Sequence, residues 1–338
     1  MQISKNLIFI TVSIIILILF SFADILLGST SIKISEIIDI LFYNNNSQSG
    51  NYIILHEIRI PKTLTAIFAG AGLAVAGLQM QTIFRNPLAG PHILGISSGA
   101  SLGVAILLLS FSSYFSANEI FIGGTWAIVG AAWIGSFLVL LLIFSISTRV
   151  KDVMTILIIG VLIGSIVSAF VNILQYFGNA ESLKVFVVWS MGSLGGVTNN
   201  QLYTLIPSVL IGIIGTFLVS KTLDILLLGE NYSKTMGVNI SLARLIIFST
   251  TGILAGSITA FCGPIGFIGI VVPHLAAMVF RTAKHSILVP ASAIFGAILL
   301  LIADILSTLP TQGAIPINSI TAFLGIPIVI FIIFKRKI

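Results

Sequence analysis

Long apolar runs separated by short polar breaks set the pattern of this chain. The first of them, LIFITVSIIILILFSFADILLG from Leu7 to Gly28, shows no alternation of apolar and polar positions, so it does not read as a strand with one wet face. About 20 apolar residues in a helix cross a hydrocarbon core. The chain offers about ten such stretches, near 6–28, 60–83, 92–111, 120–146, 154–177, 199–220, 242–262, 265–281, 287–308 and 314–334. The stretch at 265–281 is short and reads as partly re-entrant. Lipid cannot satisfy backbone N–H and C=O groups, so a span is a helix or part of a closed barrel, and continuous apolar runs select the helix. The pattern predicts an all-α polytopic membrane protein of about ten transmembrane helices, a single domain over residues 1–338.

Composition sharpens this reading. Charged residues make up 8% of the 338 and apolar ones 57%, with a mean hydropathy of +1.17. A soluble domain carries roughly 25% charged residues, so this chain cannot clothe itself for water. Its basic residues are also unevenly placed. With the N-terminus in the cytoplasm, that face receives Lys5, Arg85, Arg149, Lys151, Lys221, Lys234, Arg244, Arg281, Lys284, Lys335, Arg336 and Lys337, and the other face only Lys33, Arg59, Lys62 and Lys184. This asymmetry follows the positive-inside rule and puts both termini in the cytoplasm. The net charge of +6 expresses that bias rather than a nucleic-acid surface. Lys5, an apolar stretch and Ser21-Phe22-Ala23 have the outline of a cleavable signal, but the run continues past Asp24 to Ile25 and Leu27, which predicts a retained helix.

Several chemistries drop out. The single cysteine, Cys262, rules out an internal disulfide and a cysteine-based metal cluster. No G-x-x-x-x-G-K-[ST] is present, so ATP-driven work requires a partner that cradles the nucleotide. Acids within the spans are few, with Asp24 and Asp304 near span ends, which argues against a proton-driven carrier. Neither a metal nor a cofactor is expected. Gly95-Ile96-Ser97-Ser98-Gly99 matches G-x-S-x-G, but the nucleophile elbow needs a strand before the serine, and this one lies in the third span. An intramembrane serine protease pairing such a serine with His274 is the remaining enzymatic reading. Against it stands a packing role for Gly95, Ser97, Gly99 and Gly103, small residues that let helices approach closely. They follow a turn formed by Arg85, Asn86, Pro87, Gly90 and Pro91. Gly160/Gly164 and Gly252/Gly256 repeat the small-xxx-small spacing.

Two stretches point to partners. The longest cytoplasmic insertion, 221–244, holds a short polar helix from Glu230 to Met236 with Asn231, Tyr232, Ser233, Lys234 and Thr235 inside it. Gly229 and Gly237 bracket it and allow sharp turns on both sides. The result is a knob suited to a partner's groove. On the other face, Arg59-Ile60-Pro61-Lys62 sets two cations at the mouth of the second span, with Pro61 in a helix's first turn. A weak internal echo links LAGPHILGI at 88–96 with FCGPIGFIGI at 261–270, and the helices bearing them are expected to run the same way, as in repeat-built transporters.

The stretches RIPKTLTAIFAGAGLAVAGLQMQTIFRNPLAGPHILGISSGASLG, LLLGENYSKTMGV, GPIGFIGIVVPHLAAMVFRTAKH, LLLIADILS and GIPIVIFIIFKRK together resemble the permeases of bacterial iron-siderophore, haem and cobalamin importers, the membrane subunits of type II ABC importers. The resemblance runs over nearly the whole chain in order. It implies ten helices per subunit, a homodimer with the path at its interface, two cytoplasmic ATPase subunits and an extracytoplasmic substrate-binding protein, all in the inner membrane. By this resemblance Gly229 to Gly237 is the coupling region. Arg59 and Lys62 are docking residues for the binding protein, with lysine in place of a second arginine. A further basic docking residue after the ninth span is missing from STLPTQGAIPIN. Ferric siderophore is the expected cargo, with haem and cobalamin as alternatives.

Overall fold

Several helices in this protein begin where a polar side chain closes the first turn. Asp152 accepts from the Thr155 and Met154 amides (2.9 and 3.4 Å), Asn239 accepts from the Leu242 amide at 3.1 Å, and Thr198 with Gln201 forms a capping box. The computed structural model describes residues 2–28, 30, 32–40, 50–110, 125–150, 152–309 and 314–335. Lys151, Arg336 and Lys337, positions 120–124 of the fourth expected span and 310–313 after the ninth lie outside the described residues.

The chain forms α1 (Gln2–Leu26), α2 (Ile34–Ile38), α3 (Gly50–Ile83), α4 (Ile96–Ser110), α5 (Thr125–Ser147), α6 (Val153–Phe177), α7 (Ala180–Ser190), α8 (Asn199–Leu218), α9 (Ser220–Leu226), α10 (Glu230–Thr235), α11 (Ile240–Cys262), α12 (Ile268–Phe280), α13 (His285–Thr308) and α14 (Ile317–Lys335). No strand occurs among the described residues. Among the described residues, seven helices are long and apolar enough to cross a membrane, and three shorter apolar ones, within α4, α12 and α14, bring the set to the expected ten. The fold is all-α and polytopic.

Helix α3 is the axis of the bundle. Its apolar window is 83% buried against 11% for α1 and 17% for α6, so α3 is wrapped by protein while α1 and α6 sit at the margin. Glycines permit this. A Cβ on Gly70 would fall on the Gly296 carbonyl of α13, and one on Gly77 would fall on the Gly269 backbone of α12. The buried amide of Gln79 then ties α3 to two more spans, donating to Thr216 of α8 and to Thr250 of α11 (2.9 Å) while accepting from Thr251 (2.5 Å).

Three features depart from the sequence pattern. Helix α3 starts ten positions before the expected span and contains a π-helical stretch, Ile54–Arg59. Helices α7 and α9 lie largely outside the expected spans. The echoed segments precede helices that run in opposite directions: α4 leaves the end where α3 finishes, and α12 heads back toward it. The expectation of parallel helices is corrected accordingly. The two segments nevertheless meet, with Gly269 against Pro91 and Gly90 against Ile270, as an inverted pair would.

Candidate functional site

The short helix α10 stands at the end of the bundle that carries Arg85, Arg149, Lys221, Lys234, Arg244, Arg281 and Lys284, called here the basic end. Gly229 enters it at φ 111° and Gly237 leaves it at φ 81°, conformations that cost a side-chain-bearing residue roughly 1–2 kcal/mol. Ser233 is its root, fully buried, and its hydroxyl donates within reach of both Gly229 O (2.7 Å) and Ile225 O (3.1 Å). Glu230 pairs with Arg244 of α11 at 2.7 Å. Asn231, Tyr232, Lys234, Thr235 and Met236 are exposed. A Cβ at Gly237 meets nothing within 4 Å, so substitution there is a purely conformational change. Gly237→Val should loosen the segment by about 1–2 kcal/mol, and Gly237→Asn by much less, because asparagine tolerates the left-handed region. Hydrogen exchange of 229–238 in the purified protein checks this, with faster exchange expected for valine only.

The turn before α4 lies beside this knob. Arg85 has φ 44°, and its guanidinium lies over Gly229. Asn86 Oδ1 accepts from the Leu88 amide at 2.9 Å, and Pro87 O meets His274 Nε2 at 2.8 Å. Gly90 and Pro91 open a 3₁₀ turn that Gly95 closes at φ 70°. Gly99 and Gly103 face the backbone of α5 at Gly135 and Ala131. Ser97 Oγ reaches Thr259 Oγ1 at 3.4 Å. Ser97 thus meets a threonine hydroxyl and His274 Nε2 a backbone carbonyl, contacts of the kind that pack helices together. Ser97→Ala should leave thermal stability within about 1 kcal/mol of wild type, the worth of one weak hydrogen bond, and a fluorophosphonate probe should not label the wild-type protein.

At the opposite end, both docking candidates turn inward. The Arg59 guanidinium donates to Ile25 O (2.7 Å), Leu26 O (3.0 Å) and Thr30 O, closing the carbonyl end of α1, where positive charge is favoured. Lys62 Nζ lies 2.9 Å from Asp304 Oδ1 of α13, with side chains 20% and 2% exposed. Next to them Thr63 donates to Asp24 Oδ2 of α1 at 2.6 Å. This cluster, which clamps α1 and α13 onto α3, gave no sequence signal beyond the presence of acids near span ends.

A groove of about 580 Å³ runs along α6 between Gly160 and Asn172, bordered by His92 and Ser98. Asn172 is exposed on a helix whose Ile158, Leu162, Ile166, Phe170 and Ile173 are also exposed. The hydroxyls of Ser165 and Ser168 donate back to Val161 O and Gly164 O (2.9 Å each), leaving lone pairs toward the groove. His92, at the border of this groove, is exposed. Among the described residues no group of three or more His, Cys, Asp or Glu could hold a metal ion.

Known proteins share this architecture. The profile of the FecCD transport family matches residues 14–335. The chain is 34% identical to the hemin transport system permease protein HmuU of Yersinia pestis, over 92% of each chain, and 34% identical to the vitamin B12 import system permease protein BtuC of Salmonella typhi, over 84% of each. Its backbone superposes on an inward-facing metal-chelate type ABC transporter with a TM-score of 0.82 at 27% identity, covering 98% of this chain and 99% of the other.

Proposed function

This chain belongs to the FecCD transport family and is a permease of the metal-chelate, haem and cobalamin type of ABC importer, and on that premise we propose that its cargo is a ferric siderophore. The carrying observation is the polar stripe on α6. An asparagine facing lipid is costly, so Asn172, Ser168 and Ser165 belong to a wet path and not to the hydrocarbon. The stripe offers hydroxyls, one amide and one imidazole, without a lysine or arginine among the groove residues. Such a lining suits a polar, oxygen-rich chelate whose iron is already wrapped, better than the paired carboxylates of haem.

The rest of the assembly follows from the same reading. A second copy of the chain closes the path from the facing side. The basic end lies in the cytoplasm with both termini, and α10 seats in an ATPase subunit, one per copy, since this chain has no phosphate loop of its own. The binding protein docks over the mouth at Arg59 and Lys62, whose charge attracts acidic lobes even though both groups also hold the permease together.

Proteoliposomes containing the permease, its ATPase and its binding protein should take up ferrichrome only with ATP enclosed on the ATPase side. Uptake driven by a proton gradient alone would falsify the ATP-driven reading. Preferential uptake of haemin or cyanocobalamin would replace the siderophore assignment and leave the importer assignment standing.

A further inference from the structure

Where α9, α13 and α3 meet at the basic end, three polar side chains join in series. Asp224 Oδ1 accepts from both the His285 backbone amide and its ring Nδ1, each at 2.7 Å. His285 Nε2 stands 2.7 Å from Thr82 Oγ1. His285 is 1% exposed and Thr82 3%, so two of the three members are fully enclosed. The proton positions follow from the partners. A carboxylate only accepts, so Nδ1 carries a proton. Thr82 has one hydroxyl hydrogen and two candidate acceptors, Leu78 O at 2.8 Å and His285 Nε2. The chain of bonds is complete whichever it chooses, with the ring cationic in the first case and neutral in the second.

We propose that Asp224, His285 and Thr82 are positioning residues that deliver movement of the α9–α10 element to α13 and α3. The proposal rests on reading α10 as the ATPase-coupling element. The knob has two attachments. One runs through Glu230 to Arg244, whose Nη1 donates to Val150 O at 3.0 Å past the end of α5. The other runs through Ser233 to Ile225 of α9, whose Leu223 and Leu226 are buried, and from there through Asp224 to His285. Beyond His285 the load reaches two helices that act as one body. Helices α3 and α13 are tied at the basic end by Thr82 and His285, in the middle by the contact of Gly70 with Gly296, and at the opposite end by Lys62 and Asp304. A displacement applied at His285 therefore arrives at the opposite mouth as a rigid-body shift, one of the established modes of switching. A cavity of about 370 Å³ bordering Thr82 and His285, lined also by Gln81, Arg85, His274 and Thr282, gives this junction room to move.

The test uses the complete importer in proteoliposomes, with haemin, ferrichrome and cyanocobalamin as probes, and divides probe taken up by ATP hydrolysed. Asp224→Ala and His285→Ala should each lower this ratio about tenfold, inside the usual range for coupling between sites, while hydrolysis and melting temperature stay near wild type. The double variant should be no worse than either single one, because one link is broken only once. Asp224→Asn, whose Oδ1 still accepts from both His285 N–H groups, should recover most of the ratio. A structural role alone would lower yield and melting temperature and leave the ratio unmoved, which overturns the proposal, as do additive losses in the double variant. If the wild-type complex takes up a probe without hydrolysing ATP, the reading of α10 as a coupling element fails and this link fails with it. Failure confined to the variants sinks the link only.

Discussion

Valine at Gly77 should leave almost no folded protein in the membrane. A side chain there would start inside the main chain of Gly269, with its Cα, C and O all within reach of the new Cβ. The struck atoms cannot retreat. Gln81 Nε2 holds the Gly269 and Ile270 carbonyls at 3.2 and 2.9 Å, and Pro91 crowds Gly269 as well. Overpacking a core costs typically 1–3 kcal/mol and more where nothing can shift. Against a total stability of about 5–15 kcal/mol, a backbone collision at the bundle axis is enough to block assembly. Membrane yield and size-exclusion behaviour after detergent extraction check it. Gly77→Ala should already reduce yield, and Gly77→Val should yield aggregate or nothing. A monodisperse Gly77→Val protein at wild-type level would mean that α12 packs on α3 differently.

The reach and limits of the sequence reading have a common physical origin. Spans were legible because their lengths follow from bilayer thickness and their helicity from the need to satisfy backbone groups internally. The start of α3 was not, because NYIILHEIRI mixes charged with apolar residues and hydropathy stops at the charges, whereas the helix continues as long as its hydrogen bonds do. Helix α7 escaped for a related reason: AESLKVFVVWS is too short to span and too apolar to resemble a loop. The knob was legible from Gly229 and Gly237, whose positive φ values only glycine adopts readily. The Asp224–His285 and His285–Thr82 pairs were not, since their members lie 61 and 203 positions apart and no local pattern joins them. The direction of α12 was recoverable by counting crossings from α4. The expectation of parallel helices gave more weight to the likeness of the two glycine-proline segments than to the odd and even order of the spans.

Lys62 and Asp304 allow the end opposite the basic one to be divided into its structural and its docking parts. Asp304 is 2% exposed and Lys62 Nζ lies 2.9 Å away, so removing Lys62 leaves the Asp304 charge without its counterion in a poorly solvated place, whereas removing Asp304 leaves Lys62 the neighbouring Asp24. Breaking such a pair costs about 3–5 kcal/mol, whereas replacing both members with apolar residues of similar volume is often neutral or stabilising. Lys62→Ala should therefore lower the melting temperature and membrane yield strongly and Asp304→Ala less so, and Lys62→Met with Asp304→Leu should restore both. The restored protein lacks the Lys62 charge, which makes it the right background for docking. Affinity for the purified binding protein, measured at low and high salt, should be weaker than wild type and less salt-dependent, since exposed charge pairs are screened by ions. If the double apolar variant folds and binds like wild type, Lys62 serves the clamp alone, and the attraction for acidic lobes has to come from elsewhere on this face. If it fails to fold, the pair is needed for more than mutual neutralisation. Its reach to α1 through the neighbouring Thr63 and Asp24 contact is then the next feature to remove.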